Sequence, residues 1–207
     1  MSPGATFERV YLTLKEELGS GRFRPGEQLE PAVLSEELNS SITPVRDALH
    51  RLVGERLVQA PRNDGFRAPL LTEAALRDLY AWNLQLLLMA CRSGRNTPAK
   101  TQDVIDVSAA GGDAAQLALA ANRLFAGIAS LSPSAEHQRA IGALSDRLRA
   151  VRQAEPALFA NAAEELGALE SAFIQVDLPG LRRLLSAYHR ARARRVSALL
   201  DLLQPLP

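Results

Sequence analysis

Only one cysteine, Cys91, occurs in the 207 residues, which excludes an intrachain disulfide and any cysteine-rich zinc site. Its place in an apolar, helix-patterned stretch marks it as a buried structural thiol rather than a redox sensor. Long hydrophobic runs are missing too. The longest candidate, Leu84 to Ala90, is interrupted by Gln85 and falls far short of the roughly 18 to 20 residues that span a bilayer. Residues Met1 to Thr6 lack the charged and apolar blocks of a secretory signal, so a cytoplasmic protein without a membrane partner is expected. No Ser-His-Asp set, phosphate loop, paired acids or metal-ligand cluster is spaced for catalysis. His137, beside Glu136, reads as a surface residue, and an enzyme is not expected. The formal net charge is only +1. Nucleic-acid binders often carry a clear basic excess, so any such role must rest on where individual charges sit.

What is present is a core: 47% of the residues are hydrophobic, enough for one large domain or two small ones. β-Branched residues are sparse, Ala and Leu abundant, and apolar spacings of three and four dominate, which predicts helix for most of the chain. The first 70 residues stand apart. Phe7, Val10, Leu14 and Leu18 keep helical spacing until Gly19-Ser20-Gly21 stops the helix. Arg24-Pro25-Gly26 is a turn signal leading to Leu29. A short helix is predicted over 31–38, with Val33, Leu34 and Leu38 on one face, and Asn39-Ser40-Ser41 breaks it.

A further helix is predicted over 42–54. Ser41 or Thr43 can cap it, and Pro44 sits in the first turn, where a missing N–H costs nothing. Val45, Ala48, Leu49 and Leu52 form its apolar stripe, while Arg46, His50 and Arg51 project elsewhere. Two short helices joined by a tight polar turn describe a helix-turn-helix. A hairpin is expected next: strands 57–60 and 66–69 around Pro61-Arg62-Asn63-Asp64-Gly65. Arg62 and Asn63 at its tip suit a phosphate or the minor groove.

Beyond Leu70 no strand signal occurs. Gly94, Pro98, Gly111-Gly112, Pro133, Pro156 and Pro179-Gly180 punctuate the rest into helices predicted at 72–92, 98–108, 113–130, 134–153, 157–175 and 178–203. The expected fold class is therefore mainly α: a winged helix-turn-helix with a small β-hairpin wing over 1–71, then an all-helical bundle over 72–207.

The run Gly21-Arg22-Phe23-Arg24-Pro25-Gly26-Glu27-Gln28-Leu29, then Leu34, Leu38 and Thr43-Pro44-Val45-Arg46-Asp47-Ala48-Leu49, with Leu52 and the wing glycine Gly65, resembles the GntR family of regulators. The resemblance implies operator DNA as partner. It departs at Ile42, where the family has an arginine, implying an altered operator or weaker affinity, and at Asp47, where the family has Glu. Independently of the family, Arg46 near the start of a recognition helix can give two hydrogen bonds to a guanine edge or a phosphate. Thr43 and the helix N-terminus can hold a phosphate. The candidate DNA contacts are Ser41, Thr43, Arg46, His50, Arg51, Arg62, Asn63 and Gly65. Residues 1–70 hold nine basic against ten acidic side chains, so affinity must come from this local cluster and from dimerisation.

The helical half looks like the FCD effector domain of the same family, whose pattern D-x-x-x-H, E-H and a third His forms a divalent-metal site that can ligate an organic acid. Here Asn122 and Ala126 stand in the first motif, Glu165-Leu166 in the second, and Tyr188 at the third His with His189 one residue off. Asn83 lies near the position of the family's arginine on the first effector helix. The resemblance thus implies that the metal site is lost and no cofactor is bound. Two readings stand: Asn122, Tyr188 and His189 line a pocket for a small effector, or the cavity has closed with apolar side chains such as Ala126 and Leu166. On the last helix Arg182, Arg183, Arg190, Arg192, Arg194 and Arg195 crowd together. Arg183, Arg190 and Arg194 lie near one face, which reads as a solvated face or as one that clamps an effector carboxylate or meets DNA, and Arg183 is the effector-binding candidate among them.

The expected function is an effector-responsive repressor, binding a palindromic operator as a homodimer. Its two recognition helices would meet half-sites roughly 34 Å apart, and a ligand would shift the population of their spacing. The alternative is a constitutive or protein-partner-controlled DNA-binding regulator whose helical domain takes no small molecule.

Overall fold

The structure is a computed structural model that describes residues 3–62, 64–93 and 113–204. The chain divides into two units, Met1–Leu71 and Thr72–Pro207. Among the described residues no helix is long and apolar enough to cross a membrane.

In the first unit, α1 (Pro3–Gly19), α2 (Pro31–Glu37) and α3 (Ile42–Gly54) enclose one core. The apolar stripes account for it: Val10 and Leu14 of α1, Leu34 of α2, and Val45, Leu49 and Leu52 of α3 are all buried, with Leu29, Val58 and Phe66 closing the open side. Asn39 takes a left-handed conformation just past α2, and the Ser40 amide bonds back to the Ser35 carbonyl. This ends the helix and allows the sharp turn into α3. Outside the core, α1 and α3 are joined by polar contacts at one end. Tyr11 donates to Glu55 (2.7 Å), Lys15 pairs with the same carboxylate (3.0 Å), and the Arg51 guanidinium lies 3.7 Å over the Tyr11 ring.

The wing differs from expectation. In place of strands 57–60 and 66–69, the described residues hold two isolated antiparallel bridges, Gln59 with Arg67 and Gln28 with Arg67. The reason is local. Arg56 is left-handed, and the amides of Leu57 and Val58 both turn back to the Leu52 carbonyl, terminating α3. Those two N–H groups cannot also join a ladder, and Pro61 and Pro69 have none to offer. Residues 66–68 find a second neighbour that the sequence reading missed. Leu29 donates to the Phe66 carbonyl (2.7 Å), the Ala68 amide to the Glu27 carbonyl (2.9 Å) and the Gly26 amide to the Ala68 carbonyl (3.0 Å).

In the second unit, α4 (Glu73–Ser93), α5 (Ala114–Ala129), α6 (Ala135–Leu158), α7 (Ala162–Ile174), α8 (Leu178–Arg194) and α9 (Val196–Leu203) pack as a helical bundle. The helix predicted at 98–108 lies outside the described residues. Two boundaries move. Pro156 does not end α6: it cannot donate to the carbonyl four residues back, but the helix runs on to Leu158 and Phe159 still donates to Glu155 (2.9 Å). Conversely, 178–203 is two helices, broken at Arg195 so that Val196 and Leu199 turn fully into the core.

Gly65 sits at φ +68° with nothing but ordinary contact around a would-be Cβ, so the constraint there is conformational rather than steric. Gly65→Ala should cost about 1–2 kcal/mol of stability, seen as a lower urea midpoint of the full chain. An unchanged midpoint would show that the wing turn re-forms at negative φ.

Candidate nucleic-acid interface and the core of the helical unit

The N-terminus of α3 is open. Ser41 holds the N-cap position with extended backbone, but its side chain makes no capping bond. The first amides of α3 therefore have no side-chain partner, and Ser41, Thr43 and Arg46 are all exposed. Arg46 has no hydrogen bond or ion pair to any described residue, in contrast to Lys15, Arg22, Arg51 and Arg67, which are all paired within the unit. At the wing, Arg62 is exposed and likewise without a partner among the described residues. Arg67 grips both Asp64 oxygens (2.8 and 2.7 Å) and the Gly26 carbonyl (3.2 Å), shaping the turn. Its guanidinium holds the Asp64 carboxyl below the usual range. Asn63 lies outside the described residues.

Two candidate contacts are placed otherwise than the helix pattern implied. Arg51 is committed to α1, paired with Glu8 (3.3 Å) and stacked on Tyr11. It shares the α3 face with Glu55, one turn on (3.4 Å), instead of the face that carries Arg46. His50 is exposed, but its ring meets Phe66 edge-on at 4.9 Å and so helps seat the wing against α3. A one-residue shift along a helix rotates the side chain by about 100°, enough to separate Arg51 from the open face.

Inside the helical unit the sequence-selected residues meet a buried charge cluster. Its centre is the Glu155 carboxylate of α6. Tyr80 of α4 donates to one oxygen (2.8 Å), while Tyr188 (2.7 Å) and Arg192 (2.9 Å) of α8 donate to the other. Arg192, 0% exposed, also bonds Glu165 of α7 and stacks 3.5 Å from the Tyr188 ring. Arg152, one turn before Glu155 and equally enclosed, bonds Asn122 of α5 and lies over Phe125. His189 Nδ1 donates to the Leu185 carbonyl (2.8 Å), and Nε2 faces the Asn83 amide at 2.9 Å.

Asn122, Tyr188 and His189 are thus brought together, and Asn83 joins them. Arg183 does not: it is exposed on the outer side of α8, whereas positions 181, 185, 188, 189 and 192 of that helix face inward. Ala126 is exposed as well and closes nothing, while Leu166 is buried. The residues that sequence reading missed are Arg152, Glu155 and Arg192. A signal existed, since Arg152 and Glu155 are spaced i,i+3 and Arg192 follows Tyr188 by four, so each pair shares a helix face.

This donor set does not fit a divalent cation. Two guanidiniums flank the one central carboxylate, and Glu165 is already paired with Arg192. Among the described residues no group of three His, Cys, Asp or Glu side chains is arranged to hold a metal. The protonation states follow from the surroundings. Burial and then Glu155 push the Tyr80 and Tyr188 hydroxyls upward, so both stay protonated as donors. Burial works against the Arg192 charge, but Tyr188 and the two carboxylates outweigh it. Burial, helped by the Arg152 and Arg192 charges, pushes the His189 imidazole down to about 3.

That last displacement sets a pH dependence. An unfolded chain protonates His189 below its ordinary value of 6.5, while the folded chain resists until about 3. The contribution is complete above pH 6.5 and is lost progressively as the pH falls through that window. Urea unfolding of the wild type should therefore lose up to about 1.4 kcal/mol per pH unit through this group below pH 6. His189→Gln should show a flatter slope between pH 6.5 and 4.5; parallel curves would refute the assignment.

Residues 6–67 match the family model of bacterial regulatory proteins, gntR family. The HTH-type transcriptional repressor GlaR of Escherichia coli (strain K12) is 30% identical over 97 residues, 46% of this chain and 44% of GlaR. The Nta operon transcriptional regulator of Aminobacter aminovorans is 43% identical over 61 residues, 30% of this chain and 29% of that protein. The chain thus matches less than half the length of these curated relatives. Among solved structures, E. coli McbR/YncC superposes with a TM-score of 0.74 at 24% identity, covering 93% of this chain and 97% of that one. A putative GntR regulator from Rhodococcus sp. RHA1 superposes with a TM-score of 0.80 at 18% identity, covering 94% and 98%. At these identities the likeness is one of fold, and it runs through both units. Over residues 6–67, then, the chain is similar to the gntR family of bacterial regulatory proteins.

Proposed function

We propose that the chain is a DNA-binding transcription regulator whose α3 enters the major groove of a palindromic operator, two copies of the chain meeting two half-sites. The observation that carries this reading is the contrast among the basic residues of the first unit. Lys15, Arg22, Arg51 and Arg67 are used up in the fold, whereas Arg46 stands free beside the uncapped N-terminus of α3. Uncapped amides and a free guanidinium on one exposed helix end form a donor array suited to phosphate and guanine edges. Ser41 and Thr43 add hydroxyls to it, and Arg62 extends it towards the minor groove or the flanking backbone. The repressor GlaR among the relatives favours repression as the mode of action.

For the helical unit we read an FCD-like domain that has exchanged the family-type metal for its own charges, with no cofactor. Control by a small organic anion is supported by two interior donors, Arg152 Nε and Arg192 Nη2, which have no partner among the described residues. Unpaired buried donors favour an incoming acceptor. One observation favours the second reading, a regulator that needs no small molecule. Glu155 already sits where an effector carboxylate would be clamped, between Tyr80, Tyr188 and Arg192.

A gel shift on the DNA upstream of the gene tests the first reading. Sequence-selective, salt-dependent binding is expected from the wild type, and Arg46→Ala should lose about 1–3 kcal/mol of operator affinity with folding unchanged. No selective binding by a folded wild type at low salt would overturn the proposal. For the effector, thermal unfolding with a panel of small carboxylic acids separates the two readings. Specific stabilisation supports anion control. A flat panel for the wild type, with stabilisation appearing only in Glu155→Gln, supports the built-in carboxylate.

A further inference from the structure

The helix α4 is amphipathic, and its outer face is not the polar surface that solvent alone would call for. Leu76, Leu79, Tyr80, Asn83, Leu86, Leu87 and Ala90 point inward and are buried. Opposite them, Asp78, Ala81, Trp82, Gln85, Met89 and Arg92 are all exposed, with Trp82 at 53% and Met89 at 44%. At about 100° per residue these six fall within one narrow stripe centred on Gln85. An exposed tryptophan and methionine seven residues apart give this stripe apolar area that a partner can cover.

The charges at the two ends say which partner. Asp78 precedes Gln85 by seven residues and Arg92 follows it by seven. Neither has a hydrogen bond or ion pair to any described residue, whereas the neighbouring Arg77 is paired with Glu73. Turned by a two-fold axis through Gln85, the stripe meets its own complement. Asp78 of one copy stands opposite Arg92 of the other, twice over, and Ala81 lies across from Met89. The flanking Trp82 then meets the half-buried Leu88. A surface that is complementary to itself under a two-fold axis defines an isologous contact.

We infer that this stripe of α4 is the homodimer interface of the chain, two copies of α4 packing antiparallel about Gln85. The inference rests on the proposed reading of the chain as a two-fold operator binder, and it specifies the surface that joins the two copies. From Asp78 to Arg92 the contact runs about 21 Å. That is smaller than a standard interface of about 1,600 Å², so the free chain associates in a concentration-dependent way and two operator half-sites tighten the pair. The end-to-end ion pairs fix the antiparallel register and exclude the parallel one, in which Asp78 would face Asp78 and Arg92 would face Arg92.

Sedimentation of the full chain over a range of concentrations, with circular dichroism as the folding control, provides the test. The wild type is expected to dimerise. Asp78→Arg and Arg92→Asp should each weaken association about tenfold or more, and the double reversal should restore it. Gln85→Cys, on the axis, should cross-link to a covalent dimer with a short bis-maleimide, while the wild type, whose thiol is buried, should not. A dimer indifferent to both single reversals, or weakened by each and not rescued by the pair, overturns the interface. So does a folded wild type that stays monomeric at every concentration. The operator gel shift run beside these variants keeps the two proposals apart. A dimer with this interface that binds no operator defeats the functional reading alone, and selective operator binding by a chain that ignores these substitutions defeats the interface alone.

Discussion

A buried carboxylate holds the helical unit together. Glu155 receives donors from α4 and α8, and Arg192, bound to it, also reaches α7. Arg152, on the same face of α6, reaches α5. Four helices are therefore tied to two adjacent turns of a fifth. Such a cluster is not a simple gain in stability, because removing two guanidiniums and a carboxylate from water costs several kcal/mol for each ion. Its value lies in geometry. Every hydrogen bond in it requires a particular rotation of a particular helix, and a wrong register would leave a charge unpaired in a medium that cannot solvate it. The aromatic rings of Phe125, Phe159 and Tyr188, lying against the guanidinium faces, fill the space around the ions with groups that tolerate positive charge.

The same cluster bears on what the unit can sense. A cavity that binds an acid needs positive groups and room, and here the positive groups face an acid belonging to the chain itself. An external carboxylate would have to displace Glu155 or use the donors it leaves open, Arg152 Nε and Arg192 Nη2. Displacement would free Tyr80 and Tyr188 together, and these sit on different helices, α4 and α8. Any response to an anion would accordingly pass through α4. That helix also carries the exposed stripe of Trp82, Gln85 and Met89 on its other side. Interior chemistry and the proposed association surface are thus faces of one element, separated by the width of a helix.

Much of the fold is legible in the sequence because its signals are local. The stops at Gly19 to Gly21 and Asn39, the proline in the first turn of α3, and the stripe of Val45, Ala48, Leu49 and Leu52 each act within a few residues. The helix-turn-helix and its gntR-type motif fall in this class. The wing was misjudged because a competitor was also local but less visible: the amides of Leu57 and Val58 go to the end of α3, which only the left-handed Arg56 reveals. The break at Arg195 follows from tertiary burial of Val196 and Leu199, which overrides a continuous helical pattern. The interior charges were hardest to find. Arg192 is one of many arginines on α8, and composition treats every charge as solvated. Only the arrival of Glu155 from α6 and Glu165 from α7 makes it an interior residue.

On the proposed reading, the electrostatics of the first unit make association and DNA binding act together. With nine basic and ten acidic side chains in residues 1–70, and Lys15, Arg22, Arg51 and Arg67 ion-paired internally, one copy offers few free cations to the phosphate backbone. Non-specific affinity grows with the number of phosphates neutralised, so a single copy gains little of it. Joining two copies converts the second half-site contact into an intramolecular event, which multiplies affinity without any new contact. A regulator built as proposed would be sensitive to the strength of its own pairing, since each loss at the proposed dimer surface would be felt at the operator. It also avoids the long-lived non-specific binding that a strongly basic domain would bring. The near-neutral charge, at first sight an argument against nucleic-acid binding, then becomes a means of making occupancy depend on two-fold assembly.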